Sequence, residues 1–192
     1  MSTRRNQLMG RFSLTISVLF ILAVFLAGPA VGKSVYLSAN HHTGQFDAWN
    51  IGSNGLVSKQ ATYSLHYSTD PAGIGIDAVT DNDEPIMFIS SEFSAGLEIV
   101  NPVTLEYMGV STGPSNLGGV DVDDVDNIVY ALGRQTRRLY IYQWDPIAKT
   151  LTQQAMIYLP GMSYGYGLAL DDSRNVLWVT DTPNSEFLSR VV

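Results

Sequence analysis

The 192-residue chain contains no cysteine and no Asn-x-Ser/Thr sequence. The first absence excludes disulfides, thiolate metal sites and a cysteine nucleophile. The second removes the acceptor for N-linked glycans. In an exported protein, the two absences together favour a bacterial or archaeal source over a eukaryotic secretory pathway.

Positive charge is scarce, and it is concentrated at the amino terminus. The first 32 residues contain three of the 11 basic residues, namely Arg4, Arg5 and Arg11. The remainder of the chain therefore has 8 basic and 18 acidic residues. An acidic body repels phosphate backbones and offers no basic surface to anionic lipids. The composition therefore argues against a nucleic-acid partner and against binding at a membrane surface.

Residues 1–32 have the three parts of a secretory signal peptide. The arginines are followed by a nearly continuous apolar stretch at residues 12–27, and Ala30 and Gly32 occupy the −3 and −1 positions of a cleavage site before Lys33. The alternative is an uncleaved anchor helix, because a membrane span needs about 20 apolar residues. Either alternative predicts a secreted, periplasmic or cell-surface protein whose membrane contact is limited to this segment.

The rest of the chain repeats one pattern. Segments beginning at Gly75, Gly119 and Gly167 each continue with a short alternating strand, an Asp/Asn-rich turn and an apolar strand carrying an aromatic residue. These aromatics are Phe88, Tyr130 and Trp178, and Tyr36 in "SVYLSA" takes the same place earlier in the chain. The spacings between them are 52, 42 and 48 residues.

Further strands follow each aromatic one. "GQFDAWNI", "GLEIVNP", "RLYIYQWDP" and "SEFLSRVV" supply a third strand in each repeat, while "LEYMGV" and "LTQQAMIYL" supply outer strands. Asn101-Pro102 and Asp145-Pro146 mark turns between them. Short period-2 strands separated by Gly, Pro, Asn and Asp predict an all-β chain with no helix after residue 32.

A repeat of roughly 40–50 residues with four short strands is typical of a β-propeller, in which neighbouring blades cover both faces of each sheet. We therefore predict propeller repeats over residues 33–192, with about three and a half blades where closed rings have about four to eight. The shortfall has three explanations: a truncated copy of a longer protein, completion by other copies, or an open stack. Exposed edge strands would favour self-association.

The residues of these repeats resemble the propellers of the NHL, YVTN and SMP-30/gluconolactonase group, most closely in "YGLALDDSRNVLWVTDTPNSEFLSRV". The resemblance implies a propeller fold that hosts both enzymes and binding scaffolds. In the lactonase branch it implies a divalent metal held by Glu, Asn and Asp at the channel mouth. Asp181 matches the Asp of that set, whereas Tyr166 stands where the branch has Asn.

The Asp-rich stretch "DVDDVDN" has two interpretations. Asp121 and Asp123 fit the first two positions of a Ca²⁺ loop, but Val125 occupies the third. The same residues suit a hairpin turn, since Asp and Asn side chains bond nearby backbone N–H groups and tolerate left-handed conformations. We favour the turn, with Asp121, Asp123 and Asp181 as candidate ligands for Ca²⁺ or another divalent cation.

Asp77 and Asp121 each occupy the third residue of a repeat, on the innermost strand, where Ala169 stands in the last one. Two carboxylates lining a channel would share a cation or a proton, or each would bond backbone N–H groups. Tyr164 and Tyr166, in the loop "GMSYGYG", would stack on a sugar or peptide at the channel mouth, or pack between blades.

Other polar residues suggest weaker sites. His41 and His42 form a loop pair that would ligate a metal or face solvent, and His66 lies near Asp70. Arg134, Arg137 and Arg138 would hold an anionic ligand or, in so acidic a protein, a neighbouring acidic blade. No Gly-x-Ser-x-Gly sequence supports a serine nucleophile.

These observations favour an exported, non-catalytic β-propeller that acts as a binding or interaction scaffold. Its ligand would be a protein, a peptide or a carbohydrate, bound through Asp77, Asp121, Tyr164, Tyr166 or Asp181. The alternatives are a metal-dependent lactonase-like hydrolase and a structural repeat within a cell-surface protein.

Overall fold

The computed structural model describes residues 33–40, 43–67, 70–77, 85–181 and 187–191. In this part of the chain all regular structure is β, apart from one 3-10 turn at Asp172–Arg174. The fourteen strands are β1 (Lys33–Asn40), β2 (Gln45–Ile51), β3 (Val57–Ser64), β4 (Pro71–Asp77), β5 (Ile86–Ser91), β6 (Leu97–Val100), β7 (Tyr107–Val110), β8 (Leu117–Asp123), β9 (Ile128–Gly133), β10 (Arg138–Asp145), β11 (Thr150–Tyr158), β12 (Gly165–Asp171), β13 (Val176–Asp181) and β14 (Phe187–Val191).

The strands form four sheets in which sequence neighbours are also spatial neighbours. Sheet 1 has the order β1-β2-β3, sheet 2 β4-β5-β6-β7, sheet 3 β8-β9-β10-β11 and sheet 4 β12-β13-β14. Neighbouring strands in sheets 2, 3 and 4 are antiparallel. The all-β prediction is confirmed for the described residues, and the quoted strand segments coincide with observed strands.

The core lies between consecutive sheets. Met87 and Ile89 of β5 pack toward sheet 1, against Phe46 and Tyr63. The alternate residue Phe88 packs in a second cluster toward sheet 3. A third cluster joins sheets 3 and 4 around Leu132, Leu139, Leu177 and Val179. Because strand side chains alternate between faces, a sheet covered on both sides buries every residue of its central strands, as β5 does.

The first strands of sheets 2, 3 and 4 approach one another closely, and glycine makes this approach sterically feasible. Strand β8 contacts both β4 and β12, which also contact each other. A Cβ at Gly73 would lie 2.6 Å from the Gly118 carbonyl oxygen, and one at Gly119 would lie 2.8 Å from Leu168 Cβ. Real Cβ atoms are not found this close to such atoms, so a side chain at either position requires the strands to separate.

Strand register corrects the alignment of the first repeat. Asp121 pairs with Tyr130 and Ala169 pairs with Trp178, whereas the residue that pairs with Phe88 is Gly75. Asp77 lies two residues further along, paired with Ile86. Its register counterparts are therefore Asp123 and Asp171, the last residues of β8 and β12. The misalignment arose because the loop after β4 is longer than the turns after β8 and β12.

The turn interpretation of the Asp-rich segment is confirmed. Asp123 Oδ1 accepts the N–H groups of Val125 and Asp126 at 3.1 Å each, and Asn127 has a φ of 55°. The two Pro-containing turns are built in the same way, by Asn101 Oδ1 and Asp145 Oδ1. A short polar side chain thus replaces a backbone acceptor at each turn.

The β9–β10 turn contains a non-glycine residue in a backbone conformation that lowers the stability of the protein. Arg137 is exposed, with a φ of 56°. Replacement by glycine removes the Cβ that disfavours this left-handed conformation, so Arg137→Gly is expected to raise the free energy of unfolding by about 0.5–1 kcal/mol in urea denaturation. The control Arg138→Gly changes an equally exposed neighbour at the start of β10 and is expected to lower it by about 0.5 kcal/mol. Equal effects would show that the left-handed turn carries no cost.

Of the described residues, 33–35 and 50–58 belong to one compact unit, and the remainder belong to a second. The smaller unit contains a tight turn in which Gly52 N–H donates to the Leu56 carbonyl and Leu56 N–H to Asn54 Oδ1. The described residues contain no helix long and apolar enough to span a membrane. The predicted signal segment, residues 1–32, lies outside them.

Candidate functional site

Asp121 connects two inner strands. Its Oδ1 accepts the Val122 N–H at 2.9 Å, and its Oδ2 accepts the Leu170 N–H of β12 at 2.6 Å. Both oxygens therefore accept hydrogen bonds from backbone N–H groups. This is the arrangement expected for Asp121 if it does not share a cation or a proton. The side chain of Asp77, proposed as its partner, lies outside the described part of the structure.

Asp181 ends β13 and fixes the loop that precedes β12. Both of its carboxylate oxygens accept the Ser163 N–H at 2.9 Å, and Oδ1 also accepts the Tyr164 N–H at 2.6 Å. A carboxylate that caps two backbone N–H groups is an anchor for the loop. This arrangement does not fit the metal ligand that the lactonase resemblance implies.

Those candidate metal ligands whose side chains the structure describes do not converge. No group of three or more His, Asp or Glu side chains in the described residues is placed to hold a metal ion. Asp123 caps its own turn, and the pKa of nearby Asp172 is raised by burial and then by the charges of Asp123 and Asp124. His41 and His42 lie outside the described residues.

Arg134 is the centre of a group of side chains at the loop ends of three sheets, which we call the mouth cluster: Glu92, Arg134, Tyr164 and Tyr166. Arg134 Nη1 forms an ion pair with Glu92, and Nη2 donates to the Tyr166 hydroxyl. The Arg134 guanidinium carbon lies 4.3 Å from the centroid of the Tyr166 ring and 5.8 Å from that of Tyr164. Such distances are within the range of cation–π attraction.

One aromatic ring of the mouth cluster, that of Tyr166, is exposed to solvent. The two tyrosine rings are stacked, with centroids 6.2 Å apart and 25° between planes, and Tyr166 remains 42% exposed. Burial lowers the pKa of Arg134, but its hydrogen bonds to Tyr166 and Glu92 outweigh this and raise the pKa, so the charge is permanent. A fixed cation thus lies against the exposed ring of Tyr166, with the half-buried ring of Tyr164 stacked beside it.

Of the residues predicted from sequence, the structure brings together Tyr164, Tyr166 and Asp181, since Asp181 holds the Tyr164 backbone. The expectation that an arginine of "GRQTRR" pairs with an acid of the neighbouring sheet is confirmed for Arg134, while Arg137 and Arg138 are exposed. Glu92 was missed. Its position in the repeat could have identified it, because Glu92 and Arg134 directly follow the ends of the equivalent strands β5 and β9.

His66 is held by residues other than the expected Asp70. Its Nδ1 lies 3.1 Å from the Tyr63 hydroxyl and 3.5 Å from Glu98 Oε1. Glu98, on β6, is only 3% exposed, and nothing in the local sequence "GLEIVNP" distinguished it from a surface residue.

No family model and no curated protein matches the chain. Solved structures with a similar fold include a functionally unknown protein from Desulfotomaculum acetoxidans, with a TM-score of 0.58 and 12% identity over 78% of this chain and 48% of that one. Kuenenia stuttgartiensis hydrazine synthase matches with a TM-score of 0.53 and 10% identity, over 75% of this chain and 38% of that one. A chain of a mitotic checkpoint complex matches with a TM-score of 0.55 and 10% identity, over 72% and 43%.

The chain spans less than half the length of these three solved chains. At 10–12% identity the likeness establishes a shared fold of several antiparallel sheets and carries no information about activity.

Proposed function

We propose that the chain is an exported, non-catalytic scaffold of β-propeller blades that binds a peptide segment of a protein partner at the mouth cluster. The propeller assignment rests on three features: sheets stacked by their faces, first strands in mutual contact, and a glycine at the equivalent positions 73, 119 and 167. The signal-like residues 1–32 support export.

The observation that carries the binding role is the fixed pair of tyrosines on Arg134. Tyrosine and arginine are enriched among the residues that dominate the energetics of protein interfaces, because tyrosine offers a large contact area at low entropic cost and arginine offers several hydrogen-bond donors. Here the ion pair with Glu92 and the cap from Asp181 hold these side chains in place before a ligand arrives. Of the carboxylates considered for chemistry, Asp121, Asp123 and Asp181 are instead engaged by backbone donors.

Selection of a random dodecapeptide phage library on the purified protein tests this proposal. Tyr166→Ala is expected to weaken binding of the selected peptides by about tenfold or more, since a well-placed interface tyrosine contributes more than about 1.4 kcal/mol. The matched control is Tyr158→Ala, because Tyr158 is 57% exposed on the edge strand β11 and is outside the mouth cluster. Peptides that bind Tyr166→Ala as well as wild type, or that lose affinity equally with Tyr158→Ala, would refute the site.

A further inference from the structure

A second aromatic surface lies away from the mouth cluster. We call it the aromatic shelf, formed by His66, Tyr67 and Tyr107. The His66 and Tyr107 rings are stacked, with centroids 4.4 Å apart and 27° between planes, and Tyr67 lies 5.7 Å from Tyr107. Tyr67 is 59% exposed and the His66 side chain 52% exposed. The exposed rings of Tyr67 and His66, with the half-buried ring of Tyr107 between them, thus form a continuous aromatic surface, unlike a single scattered surface residue.

The shelf is held from beneath by the buried carboxylate of Glu98. Glu98 accepts the Tyr63 hydroxyl at 2.8 Å, the His66 N–H at 3.0 Å and the Tyr67 N–H at 3.3 Å. The loop that carries two of the three rings is therefore fixed by charge-assisted hydrogen bonds. A rigid shelf needs little ordering when a ligand binds, which favours affinity.

The hydrogen bonds also define the chemistry that His66 offers. Tyr63 has one hydroxyl proton and donates it to Glu98, so its oxygen accepts Nδ1–H from His66. In the neutral imidazole, Nε2 is then a hydrogen-bond acceptor on the half-exposed ring. Burial raises the pKa of Tyr107 to about 12, and a hydrogen bond to Tyr67 adds to this rise. The tyrosine at the centre of the shelf is therefore a neutral hydroxyl group at ordinary pH.

A polar cleft continues from the shelf through Tyr107. Its volume is about 480 Å³, within the range of small-ligand sites, and Tyr107 is one of its lining residues. Four other lining residues carry an amide, a hydroxyl, a carboxylate and an ammonium group, namely Asn101, Thr104, Glu106 and Lys149. Glu106 and Lys149 contribute opposite charges, so the cleft is polar without a strong net charge.

We propose that the aromatic shelf and the adjoining cleft bind an uncharged oligosaccharide. Sugar rings present apolar C–H faces that pack on aromatic rings. Their hydroxyls can donate hydrogen bonds to the Glu106 carboxylate and the neutral His66 ring, and can accept them from the Lys149 ammonium group. A proline-rich peptide would also use an aromatic groove, but it lacks hydroxyls and needs a more apolar cleft. An anionic polymer would be repelled by the acidic surface.

Isothermal titration of the purified protein with neutral hexasaccharides tests the proposal, using β-1,4-glucose, β-1,4-N-acetylglucosamine, α-1,4-glucose and β-1,4-mannose chains. At least one hexasaccharide is expected to bind. Tyr67→Ala is expected to weaken that binding by about tenfold, and Tyr67→Phe, which keeps the ring, by less than about threefold. The control Tyr158→Ala alters an equally exposed tyrosine on β11 and is expected to leave the affinity unchanged.

Three outcomes overturn the proposal. The first is that no hexasaccharide binds. The second is that Tyr67→Ala, shown by circular dichroism to be folded, binds as well as wild type. The third is that decaproline or a polygalacturonate hexamer binds the shelf in preference to the neutral sugars. None of these outcomes depends on the mouth cluster, whose Tyr166→Ala variant should keep full affinity for the sugar.

Discussion

Gly119→Ala is expected to lower the free energy of unfolding by about 3 kcal/mol or more. The added Cβ would lie 2.8 Å from Leu168 Cβ and 2.9 Å from the Gly167 carbonyl carbon, both on the neighbouring strand β12. Since those contacts involve strand backbone, they cannot be relieved by rotating a side chain. Strands β8 and β12 must move apart, which strains the hydrogen bond from Leu170 N–H to Asp121.

Gly167→Ala is the matched control, because Gly167 occupies the equivalent position of the next sheet. A Cβ there would lie 2.8 Å from Thr180 Oγ1, and the other two nearest atoms belong to the same side chain. A threonine side chain can adjust, so we expect a loss of about 1 kcal/mol. Urea denaturation followed by circular dichroism measures both variants. Equal losses at the two positions would show that close approach of β8 and β12 does not explain the glycine.

Most strands were predictable because burial leaves a clear pattern of apolar residues in their sequences. Strand β5 is apolar at each of its first four positions, and the structure buries it between two sheets. Strand β3, "VSKQATYS", was missed because it is mostly exposed and its sequence lacks the alternation of apolar and polar residues. Edge strands are held by backbone hydrogen bonds, and these leave little trace in the side-chain pattern.

Register was harder to predict than the presence of strands. Aligning Gly75 with Gly119 made Asp77 and Asp121 equivalent, but pairing with Phe88 and Tyr130 makes Gly75 the counterpart of Asp121. A misalignment by two residues is invisible to a pattern with period 2, since it preserves which face each residue occupies. The turn residues were predictable for the opposite reason, because Asp123 acts on N–H groups two and three positions away.

The candidate sites show the same limit. Tyr164 and Tyr166 were predicted from one loop, but their support comes from Arg134, Glu92 and Asp181 on three different elements. Such long-range partners follow from sheet packing, which local sequence does not encode. Glu98 is the strongest example, since its bonded partners are 31 to 35 residues earlier in the chain.

Replacing Glu98 by alanine is accordingly expected to cost about 3 kcal/mol of stability, although the residue has no predicted role in the repeat. The variant deprives the buried Tyr63 hydroxyl and the N–H groups of His66 and Tyr67 of their acceptor. An unsatisfied buried donor costs about 1–3 kcal/mol, and the two backbone groups recover part of the loss from water. Thermal and urea unfolding of the two proteins measure the difference.

Two further variants separate the hydrogen bonds of Glu98 from its charge. Glu98→Gln keeps a carbonyl oxygen of the same reach, so we expect it to lose only about half as much stability as alanine. Glu106→Ala removes an exposed carboxylate a few residues away and should stay within about 0.5 kcal/mol of wild type. If Glu98→Ala also stays within that range, the carboxylate does not hold the loop. The rigidity of the aromatic shelf, which favours its affinity for a sugar, would then not depend on Glu98.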